Sequence, residues 1–321
     1  MISIYEAISA IGRLFTFLFR RHGQIEDPFK QEGIMRTLFL GLALVSFQIS
    51  ASVAGELTGT LKRINDRSLI TLGFREAAPP MSFLDRSGKA VGYSIDLCDR
   101  IVAAVKQKLG RTNIMVNYVP VTAKNRFTAI ETGRIDILCG TTSKTLSRSE
   151  RVGFTQLTFV TGASLLSLSD AKVSRIAGLK GKRVAAVANT TIIKTLKGVL
   201  KNRLIDAEVV PVATNAAGMT ALDKGVVDAF SSGQVVLIGQ VIIRQKKKKR
   251  YYLSKELFSF EPFALAVQRG DADFRLVADS ALSRLNRSGQ IIAIYRKWFG
   301  RFAKDAPMVL KVLYQLNATP K

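Results

Sequence analysis

From Leu69 to Phe299 the sequence alternates between short apolar runs and segments whose apolar residues return every three to four positions. Strand and helix periods that take turns along one chain specify an α/β fold, in which helical crossovers connect largely parallel strands. The run LITLGF (Leu69–Phe74) reads as a buried strand, and residues 85–89 (DRSGK) read as a turn between Phe83-Leu84 and Val91. Leu97, Ile101, Val102 and Val105 share one face of a helix over residues 95–109, and strand 114–120, helix 125–131 and strand 136–139 complete a first unit. A second unit begins near Val160, with strands at 184–187, 208–212 and 227–230 and helices at 190–199 and 216–223. Residues 265–267 read as a returning strand, followed by closing helices at 274–285 and 290–299. The expected architecture is two α/β lobes: residues 55–158 begin the first, 159–259 form the second, and 260–321 return to the first. The length of 321 residues is enough for about two domains of roughly 150 each.

The N-terminus narrows the chemistry. Met35-Arg36 precedes the apolar stretch TLFLGLALVSFQISASVA (residues 37–54), which ends in Ser52-Val53-Ala54 before Gly55. A basic start, an apolar centre and small residues at the end make a secretory signal, with cleavage expected after Ala54 and translation expected to start at Met35. The alternative is an uncleaved anchor behind a genuine extension at residues 1–34. The only histidine is His22. A chain starting at Gly55 therefore has no imidazole, which excludes Ser-His-Asp and Cys-His catalysis and histidine-bound zinc.

Lys and Arg number 48 against 24 Asp and Glu, a net charge of +24, and loss of residues 1–54 leaves 43 against 20. Such an excess calls for an anionic partner. The KKKKR run at 246–250 is one short run with no nucleic-acid-binding module around it, and it reads as a solvated loop of the second lobe. Cys98 and Cys139 are the only cysteines, and an even pair in an exported chain is a disulfide candidate; two separate buried thiols are the alternative.

Six segments in order carry a family resemblance: GFREAAPPMSF from Gly73, VGYSIDLCDRIVAAV from Val91, VPVTAKNRFTAIETGRIDILCGTTSKTLSRSERVGFT from Val119, LKGKRVAAVANTT from Leu179, EPFALAVQRGDADF from Glu261 and RSGQIIAIYRKWF from Arg287. Over them the chain resembles the periplasmic solute-binding proteins of the polar amino-acid ABC transport family, and most of all their glutamate/aspartate-binding branch. The resemblance implies two lobes of the type II periplasmic-binding fold, a ligand cleft between them, periplasmic location, delivery to an inner-membrane ABC permease, and neither catalysis nor a cofactor. It also implies a monomer that binds an acidic small molecule and no nucleic acid.

The same resemblance places ligand contacts. Arg148 matches an arginine that forks onto a ligand carboxylate, a role a guanidinium suits because it offers two parallel donors. Thr141 and Ser143 match positions that support that carboxylate. Arg75 and Arg126 match a clamp for a second carboxylate, and Thr190 with Asn189 match a strand-to-helix turn that presents backbone N–H groups. Gly233 stands where α-amino-acid binders carry an aspartate for the ammonium, Asn215 where this branch often has histidine, and Ala123 in place of a common serine. Three arginines without an acid favour a di- or trianion over a zwitterion, since unbalanced buried charge is costly. Ser231, Ser232 and Gln234 are neutral alternatives for an ammonium, and Glu76 and Glu261 are acids that could approach it. The competing reading is an enzyme on the same fold, similar to cyclohexadienyl dehydratases, which would need an acid in the cleft to move protons.

Overall fold

The computed structural model describes residues 56–244 and 250–320. The expected signal segment and the lysines at 246–249 lie outside the described residues. Leu57–Lys321 form one compact unit.

Thirteen strands follow in chain order among the described residues: β1 (Leu69–Phe74), β2 (Ala77–Ala78), β3 (Ser82–Leu84), β4 (Ala90–Val91), β5 (Met115–Pro120), β6 (Ile137–Cys139), β7 (Val152–Thr161), β8 (Ala163–Leu168), β9 (Arg183–Val187), β10 (Glu208–Val212), β11 (Ala229–Gly233), β12 (Tyr251–Leu253) and β13 (Glu261–Gln268). The first lobe is built on a sheet in the order β5-β1-β6-β13-β7 and the second on β10-β9-β11-β8-β12. The remaining three, β2, β3 and β4, form a small antiparallel sheet.

The expectation of largely parallel sheets needs correction. Strands β5, β1 and β6 are parallel, as are β10, β9 and β11, but β13 runs antiparallel to β6 and β7, and β8 antiparallel to β11 and β12. The reason is the double crossing between lobes. Strand β7 leads out of the first sheet and β13 leads back in, so two neighbours that carry the chain in opposite senses pair antiparallel. The change of sheet falls at Gly162, so β7 continues through the 158/159 position where the sequence placed a lobe boundary.

Each sheet is buried on both faces by helices, which explains why its central strands are apolar throughout rather than alternating. In the first lobe one face holds Leu72, Tyr93, Phe159, Phe274 and Phe299, and the other holds Phe127, Ile130, Leu138 and Phe154. In the second, Leu166, Met219 and Phe230 cover one face and Leu165, Ile176, Ala186 and Leu196 the other. The helix Tyr93–Leu109 starts at Gly92, whose φ of 138° and whose missing Cβ, which would lie 2.4 Å from the Met81 carbonyl oxygen, let it pass against the hairpin. Cys98 on that helix is disulfide-bonded to Cys139 at the end of β6, closing a sequence separation of 41 residues within the first lobe. Among the described residues, no helix is long and apolar enough to cross a membrane.

Candidate functional site

Ligand sites in α/β sheets lie beyond the carboxyl ends of parallel strands, where loops diverge and helices begin. In this chain the ends of β1, β6, β9 and β11 converge on one cavity between the two sheets. It is lined by Arg75, Arg126 and Arg148 on one side and by Thr190, Thr191, Asn215, Ser231 and Gly233 on the other. Thr141, Ser143 and Phe263 complete its floor.

Each arginine is fixed differently. Arg75 follows β1 directly; its backbone N–H donates to Ser82 Oγ at 2.9 Å, and its stem packs where a Cβ on Gly140 would lie 3.0 Å from Arg75 Cγ. Arg126 opens the helix Arg126–Glu131 and is only 3% exposed. Its Nη1 donates to the Ala123 carbonyl and its Nη2 to the Asn189 carbonyl at 3.1 Å, while Nε is buried with no hydrogen-bond partner among the described residues. Arg148 lies on the short helix Leu146–Ser149 and donates through Nη1 to the Ser143 carbonyl at 2.8 Å. The Phe127 ring sits under two of these groups, with Arg126 Cζ 4.4 Å and Arg148 Cζ 5.5 Å from its centroid. An aromatic face partly offsets the loss of water around a guanidinium.

That offset is incomplete. Burial pulls Arg126 down to about 9, helped by repulsion from Arg148, Arg75 and Arg151. Burial brings Arg75 down to about 10 against the opposing field of Glu76, and it lowers Arg148 against that of Glu261. Two directions matter here: removal from water weakens the charged form, and the like charges add to that. An anion entering the cavity would reverse both.

The opposite wall presents donors. Thr190 caps the helix Thr191–Asn202, accepting from Ile193 N–H at 3.3 Å and donating to the Val187 carbonyl at 2.6 Å. The first-turn N–H groups of such a helix have no intrahelical partner and carry the positive end of its dipole. Ser231 Oγ is buried without a partner among the described residues, and Ser232 Oγ donates to Asn215 Oδ1 at 3.0 Å.

Of the sequence-predicted residues, Arg75, Arg126, Thr141, Ser143, Arg148, Thr190 and Gly233 all line the cavity. Asn189 does not; it adopts a left-handed φ of 59° and turns its carbonyl to Arg126. Thr191 and Phe263 are lining residues that sequence reasoning missed, although Thr191 stands next to the expected Thr190. Ala123 is buried in the apolar cluster of the second lobe, so a small apolar side chain there joins the two lobes. Glu261, at the start of β13, is 1% exposed behind the lining residues. It accepts from Ser143 Oγ, from Thr191 Oγ1 at 2.7 Å and from Ser259 Oγ at 2.8 Å.

The lobes are closed on one another. Asn215 Nδ2 and Gln240 Nε2 from the second lobe both donate to the Ala77 carbonyl at 3.0 Å. The helix Gln234–Arg244 approaches the loop of Pro79 and Pro80 so closely that a Cβ on Gly239 would lie 2.1 Å from the Pro79 carbonyl oxygen.

The model of the bacterial extracellular solute-binding proteins, family 3, matches residues 70–301. The L-glutamate/L-aspartate-binding protein of Pseudomonas aeruginosa is 35% identical, the alignment covering 81% of this chain and 86% of the relative. The glutamate/aspartate import solute-binding protein of Escherichia coli is 28% identical over 82% of this chain and 87% of its own. Among solved structures, an ancestral arginine-binding protein bound to arginine superimposes with a TM-score of 0.65 at 26% identity, covering 73% of this chain and 99% of the other.

The contact at Gly239 yields a test of closure. Gly239→Ala should increase the radius of gyration measured by small-angle scattering, because the new methyl group must push the lobes apart. Its unfolding free energy should stay within about 1 kcal/mol of wild type, the size of the helix-propensity gain. An unchanged radius of gyration would contradict the closed packing.

Proposed function

The chain belongs to the bacterial extracellular solute-binding proteins of family 3, and on that premise we propose that it is the extracytoplasmic receptor of an ABC importer for a small acid with two carboxylates. The observation that carries this reading is the cavity wall itself: three guanidinium groups, all of them pulled down by burial, with no carboxylate among the lining residues. Arg148, with Thr141 and Ser143, is assigned the first carboxylate, together with the free N–H groups at the start of the helix Thr191–Asn202. Arg75 and Arg126 are assigned the second, and Arg126 Nε is the donor left for it. The names of the Pseudomonas and Escherichia relatives support an acidic ligand of this size.

The relatives are named as binding and import proteins, and the chain is a binding protein rather than an enzyme. The dehydratase-like alternative would need an acid able to exchange protons in the cavity, and Glu261, the carboxylate behind it, is held by three hydroxyls. Export by a signal cleaved after Ala54, a periplasmic location, a monomeric state, a membrane permease as partner and no nucleic-acid partner complete the proposal. Export is supported by the residue 37–54 pattern, and a permease partner by the part the Escherichia relative is named for in import.

Arg148→Ala should abolish binding of dicarboxylates while leaving the fold intact, since truncating one partner of a desolvated charge pair costs about 2–5 kcal/mol. In wild type, a ligand at one hundred times its Kd should add about 2.7 kcal/mol to stability and raise Tm by roughly 5–10 °C, a rise the variant should lack. Calorimetry that gives the variant an affinity within threefold of wild type would overturn the assignment. Mass spectrometry of exported protein should find its N-terminus at Gly55, and recovery of a membrane-bound form retaining residues 1–54 would contradict the export reading.

A further inference from the structure

We propose that the cavity selects an amine-free dianion over an amino acid, because its three arginines face no carboxylate among the lining residues. The inference rests on the reading of the cleft as a carboxylate site and deepens it.

The lining residues comprise three arginines and neutral groups only. Two acids lie in reach of their fields. Glu76 acts on Arg75 from a solvent-exposed position, where water screens it. Glu261 acts on Arg148 from a buried one, so it counts nearly in full. Three guanidinium groups and one buried carboxylate leave two positive charges, which a dicarboxylate without an amine neutralises. Glutamate or aspartate, with one ammonium, would leave one positive charge in a poorly hydrated cavity, and uncompensated buried charge is costly.

Glu261 is not placed to meet the ammonium directly, since it is not a lining residue. Ser143 Oγ from the first lobe and Thr191 Oγ1 from the second, both lining residues, stand between it and the cavity and donate to it, as does Ser259 Oγ from the connecting segment. The carbonyls at the rim are also engaged: Ala77 by Asn215 and Gln240, Ser143 by Arg148, Asn189 by Arg126. Two buried polar atoms of the lining have no partner among the described residues: Arg126 Nε, a donor that calls for an acceptor, and Ser231 Oγ, a neutral hydroxyl that could accept from an ammonium but brings no negative charge to offset it.

The charge of the cleft can be stepped without crowding it. A Cβ at Gly233 meets only Thr161 Cγ2 at 3.6 Å and Phe263 Cζ at 3.7 Å, both ordinary contacts. Gly233→Asp lowers the sum by one, which matches the net charge of glutamate, and Gly233→Asn provides the same bulk without the charge. The mature protein and both variants should be titrated by calorimetry with 2-oxoglutarate, succinate, L-glutamate and L-aspartate.

Wild type is expected to bind each amine-free acid at least tenfold more tightly than its amino counterpart, Gly233→Asp to reverse the order, and Gly233→Asn to keep it. Amino acids bound as tightly as the amine-free acids by wild type would overturn the proposal and leave the carboxylate site standing. An order that Gly233→Asp does not move would overturn it as well. Failure of wild type to bind any of the four acids would overturn both.

Discussion

Repulsion among Arg75, Arg126 and Arg148 in a closed cleft is the constraint around which the rest of the chain is arranged. Desolvated like charges oppose folding unless rigid elements hold them. Here a β-strand end, a helix start and a short helix each position one of the three, and the Phe127 ring lies under two. The two sheets with their buried faces supply the stability against which this local repulsion is maintained. The unfavourable field becomes useful because an anion relieves it on arrival. The closed cleft thus converts electrostatic strain into affinity for negative charge.

Closure depends on the same residues. Arg126 reaches across to Asn189, Asn215 and Gln240 reach back to Ala77, and Glu261 ties Ser143 of the first lobe to Thr191 of the second. Most of these contacts are made by residues that line the cavity or adjoin it. A ligand that draws Arg126 or Ser143 into place therefore acts on the interlobe contacts directly, with no longer path required.

The sequence made the two-lobed α/β architecture legible through its alternating periods, and most of the cleft legible through the arginines at 75, 126 and 148. Other features were hidden for identifiable physical reasons. The helix Gln234–Arg244 is apolar on most of its surface because one side meets its own sheet and Gly239 meets the first lobe, so its periodicity is blurred. Strand β7 mixes threonine and glutamine with aromatic residues because it serves both the core and the connecting segment. The helices Gly59–Arg67 and Met308–Leu316 have nine residues each and bury only Thr60, Leu61 and Ile64 in the one and Leu310 and Tyr314 in the other, so each carries little more than two turns of pattern. Asn189 reads from the sequence as part of a turn that offers backbone N–H groups, but only its backbone angle reveals that it turns its carbonyl to Arg126 instead. Glu261 is a charge in a strand, and its three hydroxyl partners come from positions far apart in sequence.

The central claim is that a ligand with two carboxylates completes the hydrogen bonding of the buried arginines. A crystal structure of the mature protein with 2-oxoglutarate tests it most directly. The account predicts one carboxylate on Arg148 and the other within hydrogen-bond distance of Arg126 Nε and Arg75. A ligand bound outside the cleft, or one that leaves Arg126 Nε without an acceptor, would contradict it.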